Sequence, residues 1–226
     1  DEGAHTPCAP DPQWPLCAGD RYCTKAGAAP SACDAISGGA EICDGVDNDC
    51  NGAIDDGLGV GITLAAVHHI LALPEKPKRS IRVILFAAEE VGLAGAADYV
   101  RVHKNDMRNH VIGAEWDFGN GRIYKMTPGV GPEALNAIHD FSHYLAPMGI
   151  ALAPENTAKG QSDMSALGEA GQPAVNFSPD GSDYFDFHHT MDDTLDKVDK
   201  EALKFNTAVY TLFAWFTANS DVDFRQ

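Results

Sequence analysis

The sequence is poor in basic residues and has no long apolar run. Its 226 residues include 16 lysines and arginines against 33 acidic residues, which gives a formal net charge of -17. A surface of this charge repels polyanions, so we exclude a protein that binds nucleic acid or anionic lipid. No apolar stretch approaches the roughly 18 residues that cross a bilayer, so we expect no membrane span. The chain opens without a basic and apolar signal segment, as a mature, processed N-terminus would.

Cysteine is absent after residue 50, whereas the first 50 residues contain all six cysteines: Cys8, Cys17, Cys23, Cys33, Cys43 and Cys50. An even number in a segment rich in Gly, Pro, Ala and Asp indicates a module held together by disulfides. Many pairings stay open, with Cys43–Cys50 as a local candidate. A zinc knuckle is the alternative, although no Cys-x-x-Cys pair occurs. We therefore expect an oxidising compartment, either extracellular or periplasmic.

The character of the sequence changes between residues 50 and 60. Residues 1–60 hold 11 acidic and 2 basic residues. Residues 1–40 contain many turn formers and no sustained periodicity, which predicts loops. We expect an acidic, loop-rich segment over residues 1–51 and an α/β domain over residues 52–226.

Apolar segments after residue 58 alternate between the patterns of helices and strands. This alternation predicts a three-layer α/β/α domain with a mainly parallel or mixed central sheet. The run 80–88 (SIRVILFAA) has the nearly continuous apolar character of a central strand. The predicted helices are 59–73, 93–104, 132–145, 162–169 and 199–219, and the predicted strands are 80–88, 110–116, 150–153 and 173–177.

Acidic side chains follow two of the predicted strands. Glu89 and Glu90 come directly after residues 80–88, and Asp117 follows residues 110–116. Ligands of open α/β sheets bind outside the carboxyl ends of the strands. With Asp55 and Asp56 before the first helix, and His188 and His189 in the loop after the last strand, these residues indicate a site for zinc or another metal. Each residue alone is more typical of a helix start, a cap or a surface loop, and the metal site gains weight only because these residues fall on one predicted face.

Five motifs, in order and spacing, resemble those of the zinc-dependent M28 peptidases, which include secreted aminopeptidases and carboxypeptidase Q. The last motif is closer to the carboxypeptidase Q branch. The resemblance covers roughly residues 52–219 and implies hydrolysis of the terminal peptide bond of small peptides. The motifs are GAIDDGLG (52–59), AAEEVGLAG (87–95), EWDFG (115–119), GQSDMSAL (160–167) and SDYFDFHHTMDDTLDKVD (182–199).

The resemblance implies a role for each matching residue. Asp55 corresponds to the carboxylate that bridges two zinc ions. Glu90 and His189 correspond to the other ligands of one zinc, and Asp117 to a ligand of the second. Glu89 corresponds to the general base that takes a proton from metal-bound water.

The chain departs from the family pattern before Asp55. The family places a histidine about a dozen residues upstream, whereas this stretch contains none and His5 is the only histidine before it. The first strands of the family's sheet also have no recognisable counterpart in residues 1–51. We expect one tightly bound zinc, a doubtful second zinc, and impaired activity.

The same stretch has a calcium-binding pattern. Asp47, Asp49, Asn51 and Asp55 occupy positions 1, 3, 5 and 9 of a calcium loop, and a glycine occupies position 6. The pattern resembles the cysteine-flanked CDGVDNDC motifs of secreted thrombospondin-type repeats. Position 12 is Leu58 instead of an acid, so an acidic loop without an ion is the alternative. Asp55 is shared by the zinc and calcium patterns and cannot easily serve both.

A second class of function also fits the sequence. A calcium-stabilised binding or structural protein could carry a degenerate peptidase domain without catalysis. An incomplete sheet would expose an edge that a second copy covers, which makes a homo-oligomer a further expectation. A third reading is a processed fragment of a longer enzyme.

Overall fold

A computed structural model describes residues 5–7, 20–22, 56–90, 92–188, 190 and 193–226. They fall into two units. The larger contains Leu58–His188 and Val198–Gln226, and the smaller contains the described parts of residues 1–57 and 189–197. Within the described ranges, no helix has both the length and the apolar character needed to cross a membrane.

The smaller unit contains two short strands that were not expected from the sequence. Strand β1 (His5–Pro7) pairs antiparallel with β2 (Asp20–Tyr22), with Thr6 opposite Arg21. Three-residue strands without apolar alternation carry no periodic signal, so the prediction of loops throughout residues 1–40 was wrong here. The six cysteines and the calcium-type residues Asp47, Asp49 and Asn51 lie outside the described residues. Their pairing, their metal and the boundary at residues 51 and 52 stay predictions.

The larger unit is built on a three-stranded mixed sheet. Its central strand β3 (Ile123–Gly129) pairs in parallel with β4 (Ala151–Leu152) and antiparallel with β5 (Ala174–Pro179). Met126, at the centre of β3, is fully buried between Leu152 and Phe177 on the neighbouring strands. The mixed α/β class predicted from the sequence is confirmed.

Two predicted strands do not form ladders in the structure. Residues 80–88 and 110–116 are extended, but their one ladder contact is a single parallel bridge between Gly113 and Ala174. Ile84 and Phe86 still pack on a buried apolar cluster, whereas Leu85 is 49% exposed. The apolar run specifies an extended, half-buried segment, but a ladder also needs a partner strand on its edge.

The helices agree with the sequence within three residues at each end. α1 (Gly57–Leu71) stops before Pro74, and α3 (Leu135–Leu145) follows a 3₁₀ turn at Pro132–Ala134. The others are α2 (Ala94–Val102), α4 (Met164–Glu169) and α6 (Lys200–Asn219), together with the short α5 (Tyr184–Phe187), which was not predicted.

The long helix α6 closes the core with its aromatic face. Tyr210 and Phe213 contact Phe177 of β5, with ring centroids 5.3 and 5.6 Å apart. Phe216 packs on Phe141 of α3 at 5.1 Å. Each such pair adds about 0.5–1.5 kcal/mol beyond the area that it buries. The packing therefore holds α3, α6 and the sheet together.

Candidate active site

Glu89 and Glu90 lie in the sharp turn that joins the extended segment 80–88 to α2. Ala88, just before them, has a φ of 62°, in the left-handed region. A residue with a Cβ costs roughly 1–2 kcal/mol there, so the surrounding structure must hold this turn. The carbonyl of Glu89 accepts hydrogen bonds from the N–H groups of Gly92 and Leu93, both at 2.9 Å.

Gly95 fixes the start of α2 against this turn. Its N–H donates to the carbonyl of Ala87 at 3.0 Å. A Cβ at residue 95 would lie 2.3 Å from that carbonyl oxygen, so only glycine allows the approach. The two glutamates are therefore presented by a rigid turn instead of a free loop.

The two neighbouring glutamates have different surroundings. The hydroxyl of Ser162 donates a hydrogen bond to Oε1 of Glu89, and this side chain is half-buried. Glu90 is exposed. Because one glutamate is half-buried and hydrogen-bonded and the other is exposed, the pair can serve two purposes.

Asp117 follows a segment that is locked into the core. Trp116 is 4% exposed and packs on Tyr210 of α6, whose hydroxyl donates to the carbonyl of Glu115. On the other side of Asp117, Phe118 stacks on Tyr184 with ring centroids 4.2 Å apart. These contacts hold the half-buried Asp117 between two anchored aromatic residues.

Two further carboxylates belong to this site, and the sequence analysis gave them no role. Burial, together with the smaller effect of the charges of Asp117 and Asp163, raises the pKa of Glu115 to about 8. The N–H of Met164, which donates to both carboxylate oxygens of Glu115 at 3.2 Å, opposes this shift. The residue could have been found from its position two before Asp117, since alternate residues of an extended chain share a face.

Asp163 is the second of these carboxylates. It is 6% exposed, and its Oδ1 has no hydrogen-bond partner among the described residues. Burial raises its pKa to about 6, with a further contribution from the charge of Glu89. The charges of Asp117 and Asp163 act on Glu115, and that of Glu89 acts on Asp163, so these four acidic side chains form one acidic centre.

The acidic centre offers carboxylate oxygens, a ligand type that a divalent cation accepts. Carboxylates that raise one another's pKa are stabilised by a bound cation, and zinc accepts carboxylate oxygen. Of the four predicted zinc ligands, Glu90 and Asp117 lie in the described residues, whereas Asp55 and His189 do not. The described side chains alone form no group of three or more His, Cys, Asp or Glu residues suited to a metal.

The mixed sheet and the helices packed on it define an α/β protein. This α/β protein also carries the acidic centre. A sequence model of Peptidase family M28 matches residues 34–214. The chain belongs to this family, and the resemblance inferred from the five motifs is confirmed.

Individual relatives agree with the family. The chain is 32% identical over 170 residues to carboxypeptidase Q of Xenopus laevis, covering 75% of this chain and 36% of the relative. The crystal structure of a peptidase M28 precursor from Shewanella amazonensis SB2B matches with a TM-score of 0.74 and 48% identity, over 76% of this chain and 39% of that one. The crystal structure of the Legionella pneumophila LapA aminopeptidase matches with a TM-score of 0.60 and 22% identity, over 77% of this chain and 49% of that one. At this identity the match shows the fold alone. The chain thus spans 36% of the length of its carboxypeptidase relative.

Proposed function

We propose that the protein is a zinc-dependent exopeptidase-like hydrolase that cleaves terminal peptide bonds of small peptides. The observation that carries this proposal is the held carboxylate of Glu89, in a chain of Peptidase family M28. Six cysteines before residue 51 support a secreted or periplasmic location.

Glu89 suits the role of general base. Ser162 holds Oε1, while Oε2 has no hydrogen bond within the described residues and is available to accept a proton. The left-handed Ala88 and the close approach of Gly95 fix the backbone that carries this side chain. Because the side chain is already oriented, a general base fixed in this way needs no further ordering before it accepts a proton from water.

The zinc ligands follow from the family pattern. Glu90 and Asp117 would hold the metal together with Asp55 and His189. When bound, zinc supplies a water of near-neutral pKa and polarises the scissile carbonyl. Asp55, Glu90 and His189 make a three-ligand catalytic set, whereas Asp55 and Asp117 alone make a weak second one.

A non-catalytic, self-assembling protein is the second candidate, and exposed apolar side chains favour it. Leu64 and Leu71 of α1 are 47% and 64% exposed, and Leu85 lies on the segment that forms no ladder. A second copy could cover these residues, with calcium bound by residues 47–55.

One experiment separates the two candidates. The purified protein is loaded with zinc, analysed for its metal content, and assayed on dipeptides and aminoacyl-anilides with and without a chelator. Zinc-dependent hydrolysis supports the enzyme. Calcium without zinc, no hydrolysis and a stable oligomer in light scattering would support the structural protein instead.

A further inference from the structure

The loop that carries Ser162 is anchored at its first residue. Gly160 has a φ of 92°, and a Cβ there would lie 2.5 Å from the backbone carbon of Met164. The side-chain amide of Asn176 on β5 donates to the carbonyl of Gly160 at 3.3 Å. The loop therefore folds tightly onto the first turn of α4.

The first turn of α4 is capped by a residue from another segment. Asp163, at the N-cap position, makes no capping hydrogen bond with its own side chain. Glu115 takes over this role, because both of its carboxylate oxygens accept the N–H of Met164 at 3.2 Å. The first N–H groups of a helix lack partners within the helix, so an acceptor oxygen at this place stabilises the turn.

Glu115 is itself held firmly. Its backbone carbonyl accepts a hydrogen bond from the hydroxyl of Tyr210, and Tyr210 is 4% exposed. The next residue, Trp116, is equally buried against the same tyrosine. The loop is thus tied, through Glu115, to the rigid packing of α6.

These contacts form a continuous path to the catalytic base. Glu115 fixes Met164, Ser162 lies two residues before Met164, and the Ser162 hydroxyl bonds Glu89. Within the described residues, that hydroxyl is the hydrogen-bond partner of the Glu89 side chain. A shift of the loop would therefore move the base.

We propose that Glu115 is a positioning residue, whose side-chain carboxyl group holds the loop 160–164 so that Ser162 orients Glu89. This inference rests on the proposed role of Glu89 as general base. The effect of Glu115 on the reaction would pass through Ser162, because Glu115 binds the N–H of Met164 and Ser162 binds Glu89.

The test is a double-mutant cycle in the full-length, zinc-loaded protein. Glu115→Ala and Ser162→Ala should each lower kcat by about 10- to 100-fold with little change in KM, as for other residues that orient catalytic groups. The double variant should be no slower than the slower single variant, since both act on one path. Glu115→Gln keeps one acceptor oxygen and should recover part of the loss.

Two further measurements separate positioning from general destabilisation. Hydrogen exchange at the Met164 amide should accelerate in Glu115→Ala and stay unchanged in Ser162→Ala. Asp199→Ala removes a matched carboxylate cap, which accepts from Glu201 and Ala202 at the start of α6. This control should lower stability and leave kcat unchanged.

Unchanged kcat in Glu115→Ala, or effects that multiply in the double variant, would overturn the proposal. If the unsubstituted protein hydrolyses no peptide, the proposed function itself is wrong. Crystal structures of the unsubstituted protein and of Glu115→Ala then decide the positioning claim. Loss of the contact between Ser162 and Glu89 supports it, and its retention overturns it.

Discussion

Asn206, in the middle of α6, holds the beginning of β3 by accepting the N–H of Ile123 at 3.0 Å. Its side-chain amide also donates to the carbonyl of Gly121 at 2.9 Å. Asn206 is fully buried, so water cannot replace either bond. A polar side chain inside the apolar face of a helix thus joins α6 to the central strand of the sheet.

Replacing Asn206 by alanine should destabilise the larger unit. The N–H of Ile123 and the carbonyl of Gly121 would both lose their buried partner, at about 1–3 kcal/mol for each unsatisfied group. Urea unfolding followed by circular dichroism measures the change in the free energy of unfolding. Lys204→Ala, which removes an exposed ion pair with Glu201 on the same helix, is the control and should change stability little, because solvent screens such a pair. Equal stability of the two variants would contradict the structural role of Asn206.

Glu89→Gln tests the base directly. Glutamine keeps the size of the side chain and can still accept from Ser162, but it cannot take up a proton. Turnover should fall by about 10²–10⁴-fold, while the zinc content stays unchanged. Elemental analysis and the peptide assay on the same sample provide both measurements. Full activity in this variant would remove Glu89 from the mechanism.

Glu115 should make the metal-free protein less stable at high pH. Its pKa in the folded state is about 8, above the ordinary value of 4.5, so folding favours the protonated form. This stabilisation is complete below the unfolded-state pKa and is lost as the pH rises from about 4.5 to about 8. The free energy of unfolding should therefore fall by a few kcal/mol over this window, at about 1.4 kcal/mol per unit of pKa shift.

The comparison with Glu115→Gln isolates that contribution. Glutamine does not ionise, so the variant should lose much less stability than the unsubstituted protein between about pH 5 and about pH 8. Asp196→Asn is the control, because Asp196 is exposed beside Lys197 and its pKa is lowered. Denaturant unfolding in the presence of a chelator measures all three proteins. Parallel pH profiles for the unsubstituted protein and Glu115→Gln would be inconsistent with a buried, protonated Glu115.

The sequence predicts the helices better than the sheet, and individual residues show why. Pro74 after α1 and the capping carboxylate of Asp199 before α6 are local signals, readable without the fold. The strand β3 (IYKMTPG) was missed because Lys125 and the terminal Pro-Gly interrupt its apolar alternation. Residues 80–88 carried the strongest strand pattern and yet form no ladder, because pairing depends on a neighbour that this segment does not itself encode.

The candidate site was predictable only in part, because some of its contacts also depend on residues that are distant in the sequence. Motif spacing located Glu89, Glu90 and Asp117, which follow extended segments. The contact of Ser162 with Glu89 spans 73 residues, and it follows from the tertiary packing of α4. Residues that orient catalytic groups from a distant segment have no local pattern of their own.

Residues 8–51 should be the first part of the chain to open when reductant and a calcium chelator are combined. This segment is predicted to rely on disulfides and calcium, because it has few large apolar residues with which to build a core. Limited proteolysis followed by mass spectrometry should then locate the first cuts there, with the larger unit intact. Reductant or chelator alone should have a smaller effect. Uniform resistance along the chain would argue against a separate stapled module.

The zinc stoichiometry should reflect the histidine that is missing before Asp55. One predicted position retains Asp55, Glu90 and His189, three ligands that leave a place for water. The other retains Asp55 and Asp117, two carboxylates that hold zinc weakly without an imidazole. Titration followed by calorimetry and elemental analysis should therefore give at most one tightly bound zinc per chain. His189→Ala should abolish tight binding, whereas Asp117→Ala should largely preserve it. Two tight zinc ions per chain would mean that a histidine from elsewhere, such as His5 on β1 or one from a second copy, completes the second position.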